Sequence, residues 1–265
     1  MKNLIILSLF ILHALFPLCA QETPIVTPSD SLKLPSDRPG ISRNFIKLNL
    51  TSLLIKNYAI QYERVLSKRI SLGLVFRIMP ESNIPYINNI FRWIDEADPE
   101  TQDIITNLTT GNHAITPEIK WYTGKKGYGT GFYISFFYRY EQYKFNNADI
   151  SYEADNEEEI MLSTSGNVSC HSGGFMLGTQ WALSKNICLD WWILGPHIGI
   201  SSADVTSLPS RTLSLEEQQE VEDKLNDIDI PMFKHTVDVT ADKASMNFNG
   251  LGGGIRAGLS LGIKF

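Results

Sequence analysis

From Arg43 onward, apolar and polar residues alternate with a period of two, the pattern of strands whose two faces meet different surroundings. Ile46, Leu48 and Leu50 share one face, and Lys47, Asn49 and Thr51 the other. Tyr58, Ile60 and Tyr62 then oppose Ala59, Gln61 and Glu63, and Ile70, Leu72, Leu74 and Phe76 oppose Ser71, Gly73, Val75 and Arg77. A fourth strand sets Ile115, Pro117, Ile119 and Trp121 against Thr116, Glu118 and Lys120, although Pro117 removes one ladder donor. The fifth has Phe132, Ile134, Phe136, Tyr138 and Tyr140 against Tyr133, Ser135, Phe137, Arg139 and Glu141. The sixth ends in Phe175, Leu177, Thr179 and Trp181, with Gln180 opposite. The seventh carries Ile187, Leu189, Trp191 and Ile193 against Cys188, Asp190 and Trp192. The last runs from Ile255 to Phe265, with Arg256 and Lys264 on its polar face.

The connections alternate as well. Short links at Ser67-Lys68-Arg69, Gly124 to Gly127 and Ser184-Lys185-Asn186 contrast with long segments at residues 80–112, 146–159 and 202–246. Short turns at one end and long loops at the other characterise outer-membrane barrels. The expected fold is therefore all-β: an antiparallel up-and-down transmembrane β-barrel of eight strands, with long outer loops carrying short helices. One helix is expected over Ile87, Ile90, Phe91 and Ile94, and another over Leu215 to Leu225 behind the capping box Ser214-Leu215-Glu216-Glu217. The competing architecture is a water-soluble sandwich or lipocalin-like barrel, in which the apolar faces point inward and the charges are simply wet.

The chain's start adds a compartment. Lys2 precedes the apolar run Leu4 to Leu12, and Ala20 is followed by Gln21-Glu22, the layout of a secretory signal peptide too short to span a bilayer as a helix. The expected division is a signal peptide at 1–20, a periplasmic linker at 21–43 with Pro24, Pro28, Pro35 and Pro39, and the barrel at 44–265. Loss of Lys2 takes the net charge from −6 to −7, which disfavours nucleic acid as a partner. Cys19 leaves with the signal, and Cys170 and Cys188 are expected to remain free thiols.

Bulky aromatics near strand ends (Tyr58, Trp121, Phe132, Tyr140, Trp181 and Phe265) suit rings placed at membrane interfaces. Lys47-Leu48-Asn49-Leu50, Tyr62-Glu63-Arg64 and Ser71-Leu72-Gly73 resemble the opening strands of an uncharacterised family of bacterial outer-membrane β-barrels, over about residues 44–79. More loosely, the architecture looks like the small barrels typified by outer membrane proteins A and X. The final strand, with Leu261, Ile263 and Phe265 on one face, resembles the signal by which such barrels are recognised for insertion. These resemblances imply outer-membrane lipid and the insertion machinery as partners, and no activity.

If the apolar faces meet lipid, then Lys47, Glu63, Arg77, Glu118, Lys120, Arg139, Glu141, Asp190 and Arg256 share a narrow interior and must pair there. The expected role of that set is a structural salt-bridge network, and a narrow conducting pore is the alternative. A lipid-modifying enzyme would need a His beside a Ser at the membrane rim. The only sequence neighbours of that kind are His171-Ser172, and His113 and His197 have no evident serine partner. The acidic residues of the 215–225 helix lack the ordered spacing of a calcium loop. The reading is a non-enzymatic barrel without cofactor or metal, whose long loops face an extracellular partner.

Overall fold

The computed structural model describes residues 43–85, 99–153, 159–228 and 232–265. The signal peptide, the proline-rich linker and the helix expected at Ile87 to Ile94 lie outside them. Among the described residues nine strands form one antiparallel sheet: β1 (Asn44–Asn49), β2 (Tyr58–Val65), β3 (Ile70–Asn83), β4 (Thr109–Tyr122), β5 (Gly131–Glu153), β6 (Glu159–Ala182), β7 (Ile187–Pro209), β8 (Phe233–Thr240) and β9 (Lys243–Lys264). Among the described residues three short helices interrupt them: α1 (Leu50–Leu53), α2 (Pro99–Asn107) and α3 (Leu215–Asn226). No described helix is long and apolar enough to cross a membrane.

The sheet closes on itself where β1 pairs with β9, so eight strands make the ring and β8 stands outside it. Paired residues can be followed round the wall from Phe45 through Glu63, Gly73, Glu118, Phe137, Gly174 and His197 to Gly254. That path arrives ten residues short of Lys264, the residue that pairs directly with Phe45. Such a stagger is what makes the strands of a closed ring tilt. Pro117 is tolerated in β4 opposite Leu74.

The wall is uneven in height. β1 and β2 have 6 and 8 residues, whereas β5, β6, β7 and β9 have 22 to 24. The long strands are about twice what a tilted span requires. Much of what the alternation left as loops is therefore strand. β5 and β6 run on to Glu153 and back from Glu159, and β7 runs to Pro209 before α3 and the β8–β9 hairpin. Within residues 80–112, β3 reaches Asn83 and β4 starts at Thr109. Leu50 and Thr51, expected in the first strand, open α1 instead, because Asn49 turns its side chain to accept the Ser52 amide at 2.9 Å and caps a helical turn.

Below the β8–β9 hairpin β9 loses its neighbour. Its pairs with β1 stop at Ser260 and those with β8 begin at Gly250, so no described strand covers this edge between them. Thr51 of α1 meets only its lower end, where its hydroxyl accepts the Leu259 amide at 3.3 Å.

Two satellite cores fix the outward extension. Leu213 and Val221 of the α3 region pack on Ile160 and Ala244, and Ile104 and Leu108 near α2 pack on Ala148. The capping box is present in α3, but Glu217 is not part of a wet acidic face. It is buried, accepts from the Ser214 backbone at 2.8 Å and pairs with Arg211 at 2.6 Å. Arg211 first, and then the Ser214 amide, hold its carboxyl down at about 2. A depressed carboxylate stabilises above its unfolded value, and that contribution is lost as the pH falls through the folded one. Amide protection at the start of α3 should therefore survive from neutral pH to about 4 and fade only near 2. Hydrogen exchange along an acid titration checks this, and loss of protection already at about pH 5 would contradict it.

Candidate functional site

Parity along each strand sorts the side chains by face. On the interior face of the lower ring Lys47, Glu63, Lys120 and Asp190 are at most 1% exposed. The ring brings them together although Lys47 and Asp190 stand 143 positions apart in the chain. Lys47 Nζ donates to Glu63 Oε2 at 2.5 Å and to Asp190 Oδ2 at 2.6 Å, while Lys120 Nζ reaches the same two oxygens at 3.2 and 2.8 Å. Two cations and two anions thus alternate in a closed square.

Neutral donors complete it. Ser71 and Tyr122 hydroxyls donate to Glu63 Oε1 at 2.6 and 2.7 Å, and Tyr133 donates to Asp190 Oδ1 at 2.7 Å. Gln180 Oε1 accepts from Lys47 at 2.5 Å. With every carboxylate oxygen engaged, the square meets the condition under which buried charge is tolerated. Tyr133 can lie across the interior because Gly178 opposite has no Cβ to strike its ring.

Below the square the short-turn end is closed. Phe45, Val65 and Cys188 form a small apolar layer with Tyr128, which comes from the Thr123–Thr130 turn folded over the mouth. Tyr128 N donates to Lys68 O at 2.8 Å, and Gly127 takes a positive φ of 63° against the Lys68 backbone, where a side chain would collide. Above the square Val75, Phe137, Met176 and Trp192 pack into a second apolar layer with the rings of Tyr122 and Tyr133. The remaining charges sit higher. Arg77, Arg139 and Tyr143 converge on Glu141, and Arg256 lies 3.7 Å from Glu118. Glu118 also accepts from Gln61 and lies 3.5 Å from Lys120.

All nine charged residues singled out from the alternation face this interior. Their neutral partners Gln61, Ser71, Tyr122, Tyr133 and Gln180 were not singled out, although they occupy the same parity as the charges and could have been found by it.

The histidines fall differently from the sequence expectation. His171 and Ser172 are chain neighbours on a strand and so point to opposite faces. His171 Nδ1 is 2.6 Å from the Tyr138 hydroxyl on the outer wall, whereas Ser172 Oγ is 3.0 Å from His197 Nδ1 inside. His197 therefore has a serine partner after all, from the neighbouring strand. No carboxylate bonds to His197 among the described residues, and a nucleophilic triad needs such a group to hold the imidazole. Cys170 and Cys188 are buried free thiols. No group of three or more metal-ligating side chains is found among the described residues.

The outer face carries the reverse chemistry. Ile60, Leu72, Leu74, Phe76, Ile119 and Phe136 are exposed, in a belt that runs round the ring. Trp121, Phe132, Trp181, Trp191 and Phe265 are exposed toward its short-turn end. Its other boundary follows one line of paired residues, His113, Gln142, Ser169, Ser202 and Asn249. Beyond that line the outward positions of β6, β7 and β9 turn largely polar, with Ser163, Ser165, Asn167, Asp204, Thr206, Ser245 and Asn247, and with Met161 and Leu208 as exposed apolar exceptions.

No family model matches the chain, and no curated protein matches it either.

Proposed function

We propose that the chain is a bacterial outer-membrane β-barrel, non-enzymatic, plugged at its periplasmic end and serving through the rigid sheet that its long strands raise above the membrane. The observation that carries this reading is the inversion of the ring: charges buried within, and a continuous apolar belt with aromatic edges without. Contiguous exposed apolar surface on a water-soluble monomer rarely exceeds a few hundred Å². A sheet closed into a ring is also the sheet form that can span lipid, and here closure of β1 on β9 leaves only the stretch of β9 between Gly250 and Ser260 without a second described strand partner.

The partner of the extension is extracellular, and α2, α3 and the β8–β9 hairpin are the parts that would meet it. Closure at β1 through Phe265, whose amide donates to Asn44 O at 2.9 Å, supports an insertion signal made of Leu261, Ile263 and Phe265. The resemblance of the first three strands to the uncharacterised barrel family agrees with this assignment.

The test is fractionation followed by comparison of boiled and unboiled samples on a gel, and then reconstitution into planar bilayers. The expected result is an outer-membrane protein with a heat-dependent mobility shift and no steady conductance. A soluble periplasmic protein without a shift would overturn the membrane assignment. Steady ion conductance would overturn the plug and favour a narrow channel.

A further inference from the structure

Charge is not balanced along the interior. Among the described residues, and above the Phe45 ring over which Lys264 lies at the lower mouth, five cations, Lys47, Lys120, Arg77, Arg139 and Arg256, face four carboxylates, Glu63, Glu118, Glu141 and Asp190. The square takes equal numbers of each, so the excess lies above it. There Arg256 and His197 pack against the same Phe137 ring, at 4.4 and 5.9 Å, and Arg77 and Arg139 meet at Glu141. Glu141 serves two of the three guanidiniums through a single oxygen. Its Oε2 accepts Arg77 Nη2 at 3.1 Å, Arg139 Nε at 2.8 Å and the Tyr143 hydroxyl at 3.0 Å.

Arg256 is the unsatisfied member. It is 7% exposed, and its guanidinium lies 4.4 Å from the Phe137 ring and 4.9 Å from the Trp192 ring. Those contacts hold the planar group but use none of its N–H donors. The nearest acid, Glu118, is beyond hydrogen-bonding range at 3.7 Å and is already shared with Gln61 and Lys120. Both terminal nitrogens of Arg256, and Nε of Arg77, have no hydrogen-bond partner among the described residues. Five N–H bonds in a rigid fork match two oxygens of one oxyanion.

We propose that the upper interior binds one oxyanion, a carboxylate or phosphate group, on Arg256 and Arg77, with the Ser172 hydroxyl and His197 beside it. The proposal rests on the closed ring and not on the membrane assignment. Two sources share this chemistry. A free anion can arrive from the long-strand end, toward which the partly exposed Arg77 side chain opens. The head of an anionic amphiphile can instead pass the edge of β9 between Gly250 and Ser260, which no described strand covers and which carries Arg256.

The experiment uses the folded full chain in uncharged detergent, checked first for its heat-dependent shift, and titrates inorganic phosphate and dodecyl phosphate separately. Binding is read by calorimetry and by the emission of Trp192, with Trp192→Phe as the control for that signal. Saturable binding of phosphate that weakens at least about tenfold in Arg256→Gln is expected if the source is aqueous. Saturable binding of dodecyl phosphate alone, with the same loss, assigns the amphiphile. Should Arg256→Gln fail to fold, Arg77→Gln, at a partly exposed position, is expected to show the loss. Absence of binding by either probe, or equal binding by wild type and the arginine variant, would overturn the proposal.

Discussion

Replacing Asp190 by alanine is expected to remove about 3–5 kcal/mol of stability, the cost of breaking a buried ion pair by deleting one side. The substitution leaves Lys47 and Lys120 sharing Glu63, with only Glu118 at 3.5 Å as a further acid for Lys120, and strips the Tyr133 hydroxyl of its acceptor. Neither lysine can retreat to water, since each is 1% exposed. The loss should appear as a lower midpoint in detergent or denaturant unfolding followed by the gel shift. A double replacement, Lys120→Met with Asp190→Leu, should recover most of it, because Lys47 and Glu63 then remain as a neutral pair at 2.5 Å. That recovery separates a charge effect from the mere removal of a side chain. If the single variant is as stable as the wild type, the square does not hold the ring together.

The charges inside the ring were legible because parity needs no knowledge of the fold. A strand that sets Glu63 opposite Tyr62, or Asp190 opposite Trp191, has declared its faces whichever way the sheet curls. The square itself was not legible. It depends on the ten-residue stagger and on bulges near Leu177–Gly178 and Trp192–Gly195, which shift β6 and β7 against their neighbours. No local pattern reports a stagger that is fixed only when β1 meets β9. The Ser172–His197 pair was missed for the same reason. It arises from the register that sets Gly174 opposite His197, and sequence adjacency pointed instead to His171.

The length of the strands was hidden by a different cause. Alternation is visible only while the two faces have unlike surroundings. Past the line of Ser169, Ser202 and Asn249 the outward residues are largely polar while inward ones such as Ile160, Leu162, Val205, Met246 and Phe248 are apolar, so the two faces exchange character and no single apolar stripe follows the ladder through. Hence residues 146–159 and 202–246 looked like loops. The α3 helix was legible in that same region because its signal is a cap, local and chemical, in which Ser214 and Glu217 bond reciprocally.

The belt makes the most decisive prediction, since the two readings of the ring give it opposite signs. Phe136 is 58% exposed in the lower part of β5, between Phe132 and Tyr140, while its neighbour Phe137 is 6% exposed beneath Arg256. In a bilayer Phe136→Arg places a charge against lipid and should cost about 2–4 kcal/mol, so the yield of folded, heat-shifted protein in liposomes should collapse. Leu208→Arg is the matched control. Leu208 is 54% exposed on β7 but lies beyond the polar line, where the same charge meets water and should change folding very little. In a water-soluble ring both substitutions would be harmless, and Phe136→Arg would even improve solubility by breaking the apolar patch. Equal folding of the two variants in liposomes therefore excludes lipid around the belt. A defect confined to Phe136→Arg places the lipid boundary between the two positions, along the line where the outer face of the strands turns polar.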